Sequence, residues 1–310
     1  MNNIVNIRLK NYNNKPIISD TPILQFKLYK YNNEYVFKDG EIYLSINSKE
    51  KLSTIYKHFM IHYKLLFLNN GYFYEIKEYR ENNKIVDISK YSNIEAYKTN
   101  NEFIKNYNIT NIKNLINKES ISEFSKIENK YKMIFNAFYY LHSDKYNSVL
   151  CDHKFMILSQ LCEGYIENSE HEKHIKTADF KGRIGIYIDL FRKIDIKINA
   201  EIFKILNTYP EKIKKQIKNT RHMYSHYTKK DKTIKEENFI YLYYILELAF
   251  RILVLDDINI KYGDEVKENL YSIHDWIMEK RKESIKIEEY KSITYKISKT
   301  LGNIHKIEGV

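Results

Sequence analysis

Two kinds of hydrophobic pattern divide the chain. Up to about residue 115, apolar and polar side chains alternate in short runs such as QFKLYKY, EYVFKDGEIYLSI and GYFYEIKEY. Alternation with a period of two predicts half-buried β-strands, and Asp39-Gly40 between two of these runs is a hairpin signal. At about 49–68 the apolar positions instead recur every three or four residues, which predicts a helix. We therefore predict a small α+β region at 1–115.

Beyond residue 115 the pattern is helical throughout. Ser120 and Glu123 have the spacing of a capping box at the start of a helix, and apolar residues from Phe124 to Phe138 then form one stripe. Further helices are predicted at about 149–171, 178–194, 199–206, 210–227, 235–257 and 264–280. The predicted fold is α+β overall and mainly α, with an α-helical bundle at 116–310.

One segment, Phe239 to Leu255, is nearly all apolar over a length close to that of a membrane span. Glu247 and Arg251 lie inside it, four residues apart, where they can pair on one helix face. A charge in the middle of a membrane costs about 2.5 to 3.5 kcal/mol. We therefore interpret this segment as the central helix of the bundle, buried on all sides, and not as a transmembrane helix.

Composition excludes several classes of protein. Hydrophobic residues make up 43% of the 310 positions, more than a disordered chain carries, and Gly 8 with Pro 3 favours long helices over fibrous or loop-rich structures. Cys151 and Cys162 form neither a zinc nor a disulfide pattern, so we expect two buried thiols. The first residues lack the apolar core of a signal peptide. We expect a cytoplasmic protein with no membrane partner.

The net charge of +11 would attract a polyanion such as nucleic acid. Asn, Ile, Lys and Tyr are abundant together, however, and an AT-biased genome would produce the same mixture without any binding function. The charge is concentrated between Tyr209 and Lys230, where seven Lys or Arg residues accompany one Glu. The residues expected to bind RNA in this segment are Lys212, Lys214, Lys215 and Lys218.

The basic segment is predicted to be a helix. Thr208 and Glu211 have capping-box spacing, and Pro210 is tolerated in a first turn. Arg221 and His226 lie further along the same helix. A histidine can move a proton near neutral pH, and an arginine offers a permanent charge and a planar fork for phosphate oxygens.

Cleavage of RNA needs both of these abilities, one for the proton of a 2′-hydroxyl and one for the charge of the transition state. A spacing of five residues separates Arg221 and His226 by about 140° around a helix, so a second subunit would have to complete the site. From composition alone, a solvated arginine and a polar histidine at a helix end are the simpler interpretation.

The sequence Arg221-His222-Met223-Tyr224-Ser225-His226 resembles the R-x4–6-H motif of the HEPN (higher eukaryotes and prokaryotes nucleotide-binding) ribonuclease superfamily. The segment IKNTRHMYSHY, followed by a short loop and the apolar helix YLYYILELAFRILVLDDI, resembles the ApeA-like branch of that superfamily. FMILSQLCEGY resembles an earlier helix of the same branch. The resemblance covers roughly 118–280.

The resemblance implies a function and a set of roles. His226 would be the catalytic histidine, Arg221 the arginine that faces the phosphate, and His222 with Tyr227 would shape the site. It implies metal-independent RNA cleavage without a cofactor, a homodimer with facing motifs, and antiphage defence by abortive infection, with an antitoxin or a phage-derived activator as a further partner. The alternative is a non-catalytic HEPN module that binds RNA, nucleotide or a protein partner.

Histidine pairs also suggest metal binding. His222 with His226, and His58 with His62, have the i, i+4 spacing that places two imidazoles on one helix face. Neither pair encloses the Glu of the H-E-x-x-H pattern, and no third ligand is evident, so we expect no metal. A second set, His171 and His174, falls in a polar stretch that we interpret as a solvated turn. The glycines at 182 and 185 follow no strand, which argues against a phosphate loop.

Overall fold

The computed structural model describes residues 2–10, 23–38, 41–91, 109–143, 151–175, 179–206, 208–226, 233–235, 238–264 and 266–280. The side chains of residues 90, 151, 225 and 226 also lie outside this description.

The N-terminal region is built on an antiparallel sheet with the strand order β2-β3-β4-β1-β5-β6. The strands are β1 (Asn3–Lys10), β2 (Ile23–Leu28), β3 (Tyr31–Lys38), β4 (Glu41–Ser48), β5 (Glu75–Glu81) and β6 (Lys84–Ile85). Lys38 of β3 pairs with Glu41 of β4, which confirms the predicted hairpin, although Asp39 and Gly40 lie outside the described residues.

Strand β1 was not predicted, yet it occupies an inner position of the sheet, between β4 and β5. Its burial alternates as a half-buried strand requires: Val5, Ile7 and Leu9 are buried, and the residues between them are more exposed. The sequence NIVNIRLK obscures this alternation because asparagine is uncommon in strands.

The predicted helix at 49–68 is confirmed as α1 (Leu52–Asn70), which packs against β1 and β4. Its buried side includes Ile55, Tyr56, Phe59 and Tyr63 of the predicted stripe. The helix ends at Gly71, whose φ of 75° is the left-handed conformation that glycine adopts at little cost. The Gly71 amide donates to the Phe67 carbonyl at 2.7 Å and closes the last turn.

The rest of the described chain is mainly helical, as predicted. The helices are α2 (Ile112–Leu115), α3 (Lys118–Lys130), α4 (Lys132–Leu141), α5 (Cys151–Glu167), α6 (Phe180–Ile194), α7 (Ile196–Ile205), α8 (Pro210–His226), α9 (Phe239–Asp257) and α10 (266–280). Helix α9 packs against α5 and α6 and is buried almost all round, which confirms the central helix predicted from its apolar sequence. Among the described residues, no helix is long and apolar enough to cross a membrane.

Both predicted capping boxes are wrong. Helix α3 begins at Lys118, and the cap is Asn117, whose side chain accepts from the Ser120 amide at 2.9 Å. Asparagine is as good a cap as serine, and it lies three residues nearer the start of the chain. At α8, the Ile213 amide donates to the carbonyl of Tyr209, so the helix begins one residue later than a cap at Thr208 would require.

The N-terminal region and the helices share one hydrophobic core. At their junction Arg251 of α9, 1% exposed, pairs with Glu247 at 2.7 Å, as the four-residue spacing predicted. Its Nη1 atom donates to the carbonyls of both Leu68 and Asn69 at the end of α1, at 3.2 and 3.3 Å. Burial alone would raise the pKa of Glu247, but Arg251 and His142 outweigh it and lower that pKa.

The two cysteines lie on α5. Cys162 is a free, fully buried thiol, as expected, and burial raises its pKa. The side chain of Cys151 lies outside the described residues.

Candidate functional site

The basic segment forms helix α8, which packs against α6. Its inner side is made of Ile213, Lys214, Ile217 and Thr220, all buried, whereas Glu211, Lys215, Lys218 and His222 are exposed. The helix thus has one side in the bundle and one side that carries polar groups toward solvent.

Arg221 lies at the edge between these two sides. Its terminal nitrogen is 2.7 Å from a carboxylate oxygen of Glu163 on α5, and its guanidinium stacks 4.5 Å from the ring centre of Phe180 on α6. The side chain keeps 34% of its surface exposed. Two neighbouring helices therefore fix the orientation of this guanidinium, and part of it remains open to a ligand.

Glu163 is shared by two arginines. Its other carboxylate oxygen is 3.3 Å from Arg183 of α6, which also contacts Glu167 at 3.2 Å and Glu172 at 2.9 Å. The carboxylates around Arg183 outnumber it, so the charge of this cluster is negative beside the basic helix.

The C-terminal half of α8 is tied to the start of α5. The Tyr224 hydroxyl donates to Asp152 at 2.5 Å, and the Tyr224 ring meets the rings of His153 and Phe239 edge-on. The next position of the motif, residue 226, is two residues further along the same helix. This hydrogen bond joins α8, two residues before position 226, to the start of α5.

The predicted site residues are brought together on one helix only in part. Arg221 lies inward toward Glu163, and His222 is exposed. His226 is the last residue of α8, but its side chain and the whole of Tyr227 lie outside the described residues. By helix spacing, residues 222 and 226 are one turn apart, and residues 221 and 226 diverge by about 140°.

The four lysines expected to bind RNA differ in their surroundings. Lys215 and Lys218 are exposed, although Lys218 also pairs with Asp179 at 2.8 Å, and Lys212 is half-buried. Lys214 is only 7% exposed and lies 2.9 Å from Asp189 and 3.0 Å from Glu211. Burial by itself would lower the Lys214 pKa, but these hydrogen bonds outweigh it and raise the pKa. Lys214 therefore fastens α8 to α6.

The other histidine pairs have structural partners. His58 and His62 of α1 lie with their Nε2 atoms 3.0 Å apart; His58 also contacts Asn33, and His62 contacts the Tyr35 hydroxyl. Burial lowers the pKa of His58 to about 4 and that of His62 well below its usual range. Both imidazoles are therefore neutral at pH 7.

The stretch with His171 and His174 is a 3₁₀ helix, Glu170–His174, rather than a plain turn. His171 lies 2.7 Å from Asp257, and this hydrogen bond raises its pKa. No group of three or more metal-ligating side chains occurs among the described residues. The glycines at 182 and 185 lie inside helix α6.

The fold and the motif define an all-helical domain with an Arg-x4-His sequence on a basic helix. Residues 133–264 match the family model described as Apea-like HEPN, which spans most of α4 through α9 and includes Arg221 and His226. Over these residues the chain is similar to the ApeA-like HEPN family. No curated protein and no solved structure matches the chain.

Three residues of the site were missed in the sequence. Glu163 and Phe180 hold Arg221, and Tyr224 ties α8 to α5. Glu163 carried a signal, because it is the lone charge in the otherwise apolar stretch FMILSQLCEGY. Phe180 had none, since an aromatic residue at the start of a helix is usually part of the core.

Proposed function

We propose that this protein is a metal-independent endoribonuclease that acts as a toxin in antiphage defence by abortive infection. The observation that carries the proposal is Arg221, oriented by Glu163 and Phe180 and still one-third exposed, five residues before His226 on a basic helix. The family match over 133–264 supports it.

In this proposal His226 removes the proton of the 2′-hydroxyl, which attacks the adjacent phosphorus atom. The bond between phosphorus and the 5′-oxygen breaks, the 5′-oxygen takes a proton from water, and the product end is a 2′,3′-cyclic phosphate. Arg221 stabilises the charge that builds up on the phosphoryl oxygens, because a fixed cation in a partly desolvated site acts more strongly than one in water. His222 and Tyr227 shape the site, and Lys212, Lys215 and Lys218 attract the RNA.

The active species in this proposal is a homodimer. Residues five apart on a helix diverge by about 140°, which favours a site completed by a second subunit over one built within a single α8. Two facing copies of α8 would supply both groups from opposite sides, and the acidic cluster at Glu163 would reduce the repulsion between them. An isologous two-fold interface has this geometry.

The deciding experiment incubates purified protein with single-stranded and structured RNAs in excess EDTA. Removal of a positioned acid-base group costs about 10² to 10⁴ in rate, so His226→Ala and Arg221→Ala should each lose at least that much while remaining folded. His174→Ala, an exposed histidine of the same domain, is the matched control and should cut at the wild-type rate. Equal cleavage by the wild type and His226→Ala would disprove the assignment.

The composite site has its own test. Specific activity should fall on dilution below the dimer constant, and an excess of His226→Ala protein should inhibit the wild type through mixed dimers. Activity that is independent of dilution, in a protein that is monomeric by light scattering, would contradict it. For the role in defence, expression of the wild type during phage infection should stop host growth, and expression of His226→Ala should not.

A non-catalytic HEPN module that binds RNA, nucleotide or protein is the second candidate. The Glu163–Arg221 ion pair favours it, because a carboxylate at 2.7 Å neutralises the arginine without any phosphate. The variant Glu163→Gln distinguishes between the two candidate functions. If Glu163 orients Arg221 for catalysis, this variant cuts RNA more slowly. If the module is only a binder, neither the wild type nor Glu163→Gln cuts RNA, and the variant binds RNA more tightly because the free arginine gains a phosphate.

A further inference from the structure

A cavity of about 590 Å³ lies between α7 and the start of α8, at the end of α8 opposite to His226. Its apolar lining includes Ile196, Phe203 and Pro210, and its polar lining includes Arg192, Lys204 and Tyr209. This volume falls within the range of about 300 to 1,000 Å³ that is usual for small-molecule sites. Nothing in the proposed cleavage chemistry uses this cavity.

Two large side chains at the cavity, the aromatic Tyr209 and the aliphatic Ile196, are exposed. Tyr209 keeps 59% of its surface exposed and Ile196 keeps 73%. Within the part of the chain that the structure describes, no other aromatic ring stacks on Tyr209. Neighbouring exposed apolar groups beside a cavity are typical of an interaction site. A flat occupant could cover the Tyr209 ring.

The charge around the cavity selects the occupant. Residues 192–218 carry eight Lys or Arg and three Asp or Glu. Neither Arg192 nor Lys204 has a carboxylate partner among the described residues, and both are exposed. Exposed cations beside an exposed aromatic ring are the combination that binds single-stranded nucleic acid, with phosphates on the cations and a base on the ring. An apolar peptide would not need these cations.

We propose that this cavity binds a nucleotide of single-stranded RNA, with its base stacked on Tyr209 and its phosphates beside Arg192 and Lys204. The inference rests on the proposed function. Tyr209 precedes Arg221 by twelve residues, which corresponds to about 18 Å along a helix. The exposed side of α8 between them carries Lys215, so the strand can follow α8 from this cavity toward the motif.

The test measures RNA binding apart from cleavage. A fluorescent oligoribonucleotide whose 2′-hydroxyls are methylated is not cut by transesterification, and its affinity is measured by anisotropy. Tyr209→Ala should bind about tenfold more weakly, since stacking on one aromatic residue typically accounts for this much, while Tyr209→Phe keeps the wild-type affinity. Tyr29→Ala is the matched control: Tyr29 is 69% exposed but lies in the N-terminal region, and its loss should leave the affinity unchanged.

A second arm identifies the base contact. In a set of oligonucleotides, each lacks the base at one position. One member of the set should bind the wild type more weakly than the intact strand does. The same member should bind Tyr209→Ala as tightly as the intact strand does. Equal affinity of Tyr209→Ala and wild type for the intact strand, or no RNA binding at all, would overturn the inference. The inference would also be overturned if Tyr209→Ala were monomeric by sedimentation and kept its RNA affinity. The cavity would then be a contact with a second copy of the chain.

The inference and the proposed function fail differently. If the protein cuts RNA and Tyr209→Ala binds normally, the cavity proposal is wrong and the ribonuclease remains. If Tyr209-dependent binding is found and no RNA is cut, the cavity proposal holds and the catalytic assignment is wrong.

Discussion

Helices α1 and α8 each carry two histidines at i, i+4 spacing, yet their surroundings are opposite. In α1, His58 and His62 are buried on the side that faces the sheet, and both are neutral. In α8, His222 lies on the exposed side of a basic helix. The comparison shows that spacing alone does not assign a role to a histidine pair; burial and the neighbouring groups do so.

The largest expected effect is at the end of α1. Arg251→Met removes the donor to the Leu68 and Asn69 carbonyls and leaves Glu247 buried without its arginine. Loss of one partner of a buried ion pair costs about 3 to 5 kcal/mol, which urea denaturation would measure. The double variant Glu247→Gln with Arg251→Met removes both charges and should recover much of this loss. A single variant as stable as the wild type would mean that α1 is held by apolar packing alone.

A second effect concerns the acid sensitivity of α1. Because burial lowers the His58 pKa to about 4, against about 6.5 when unfolded, the unfolded state takes up the proton first. Stability should therefore be lost as the pH falls from about 6.5 toward about 4, by about 3 kcal/mol. His58→Gln should flatten this dependence in thermal melts across pH 4 to 7. His222→Gln on α8 is the control. If it flattened the pH dependence of stability as much as His58→Gln does, the contrast between α1 and α8 would be wrong.

The smallest effect is expected at the end of α8. Tyr224→Phe removes the hydrogen bond to Asp152, which is worth about 1.5 kcal/mol, and leaves the ring in place. If this bond positions residue 226, RNA cleavage should fall about tenfold in kcat/KM. Tyr29→Phe, which removes a hydroxyl contact with Ser122 in the N-terminal region, should not change cleavage. Equal cleavage rates for Tyr224→Phe and Tyr29→Phe would show that the hydrogen bond between Tyr224 and Asp152 does not contribute to catalysis.

Much of the fold could be predicted because the helices have strong apolar periodicity. The end of α6 at Ile194 and the buried all-round character of α9 follow from the sequence, and the start of α6 lies two residues later than predicted. Strand β1 is hard to predict because two of its four polar residues are asparagines, and the cap of α3 is ambiguous because two capping residues lie three positions apart. The sequence pattern gives the side of a helix that is buried, but not which side chain from elsewhere meets it.

The candidate site, like the fold, could be predicted from the sequence only in part. The motif residues Arg221 and His226 are local, and their spacing on one helix could be read directly. Glu163 and Asp152 come from α5, more than fifty residues earlier, and a single sequence does not show which distant carboxylate pairs with which group on α8. The burial of Lys214 could not be predicted for the same reason, because its partner Asp189 lies on another helix.

The inner position of strand β1 bears on how the chain folds. Val5 pairs with Ile46 on one side and with Glu81 on the other, so the first strand of the sheet is completed only by segments about 40 and 75 positions later. Such distant pairing slows folding more than it reduces stability, since the entropy of closing a loop grows only slowly with its length. We therefore expect the nearby hairpin of β3 and β4 to form first. The sheet as a whole should close late and in one step, when β1 enters between β4 and β5.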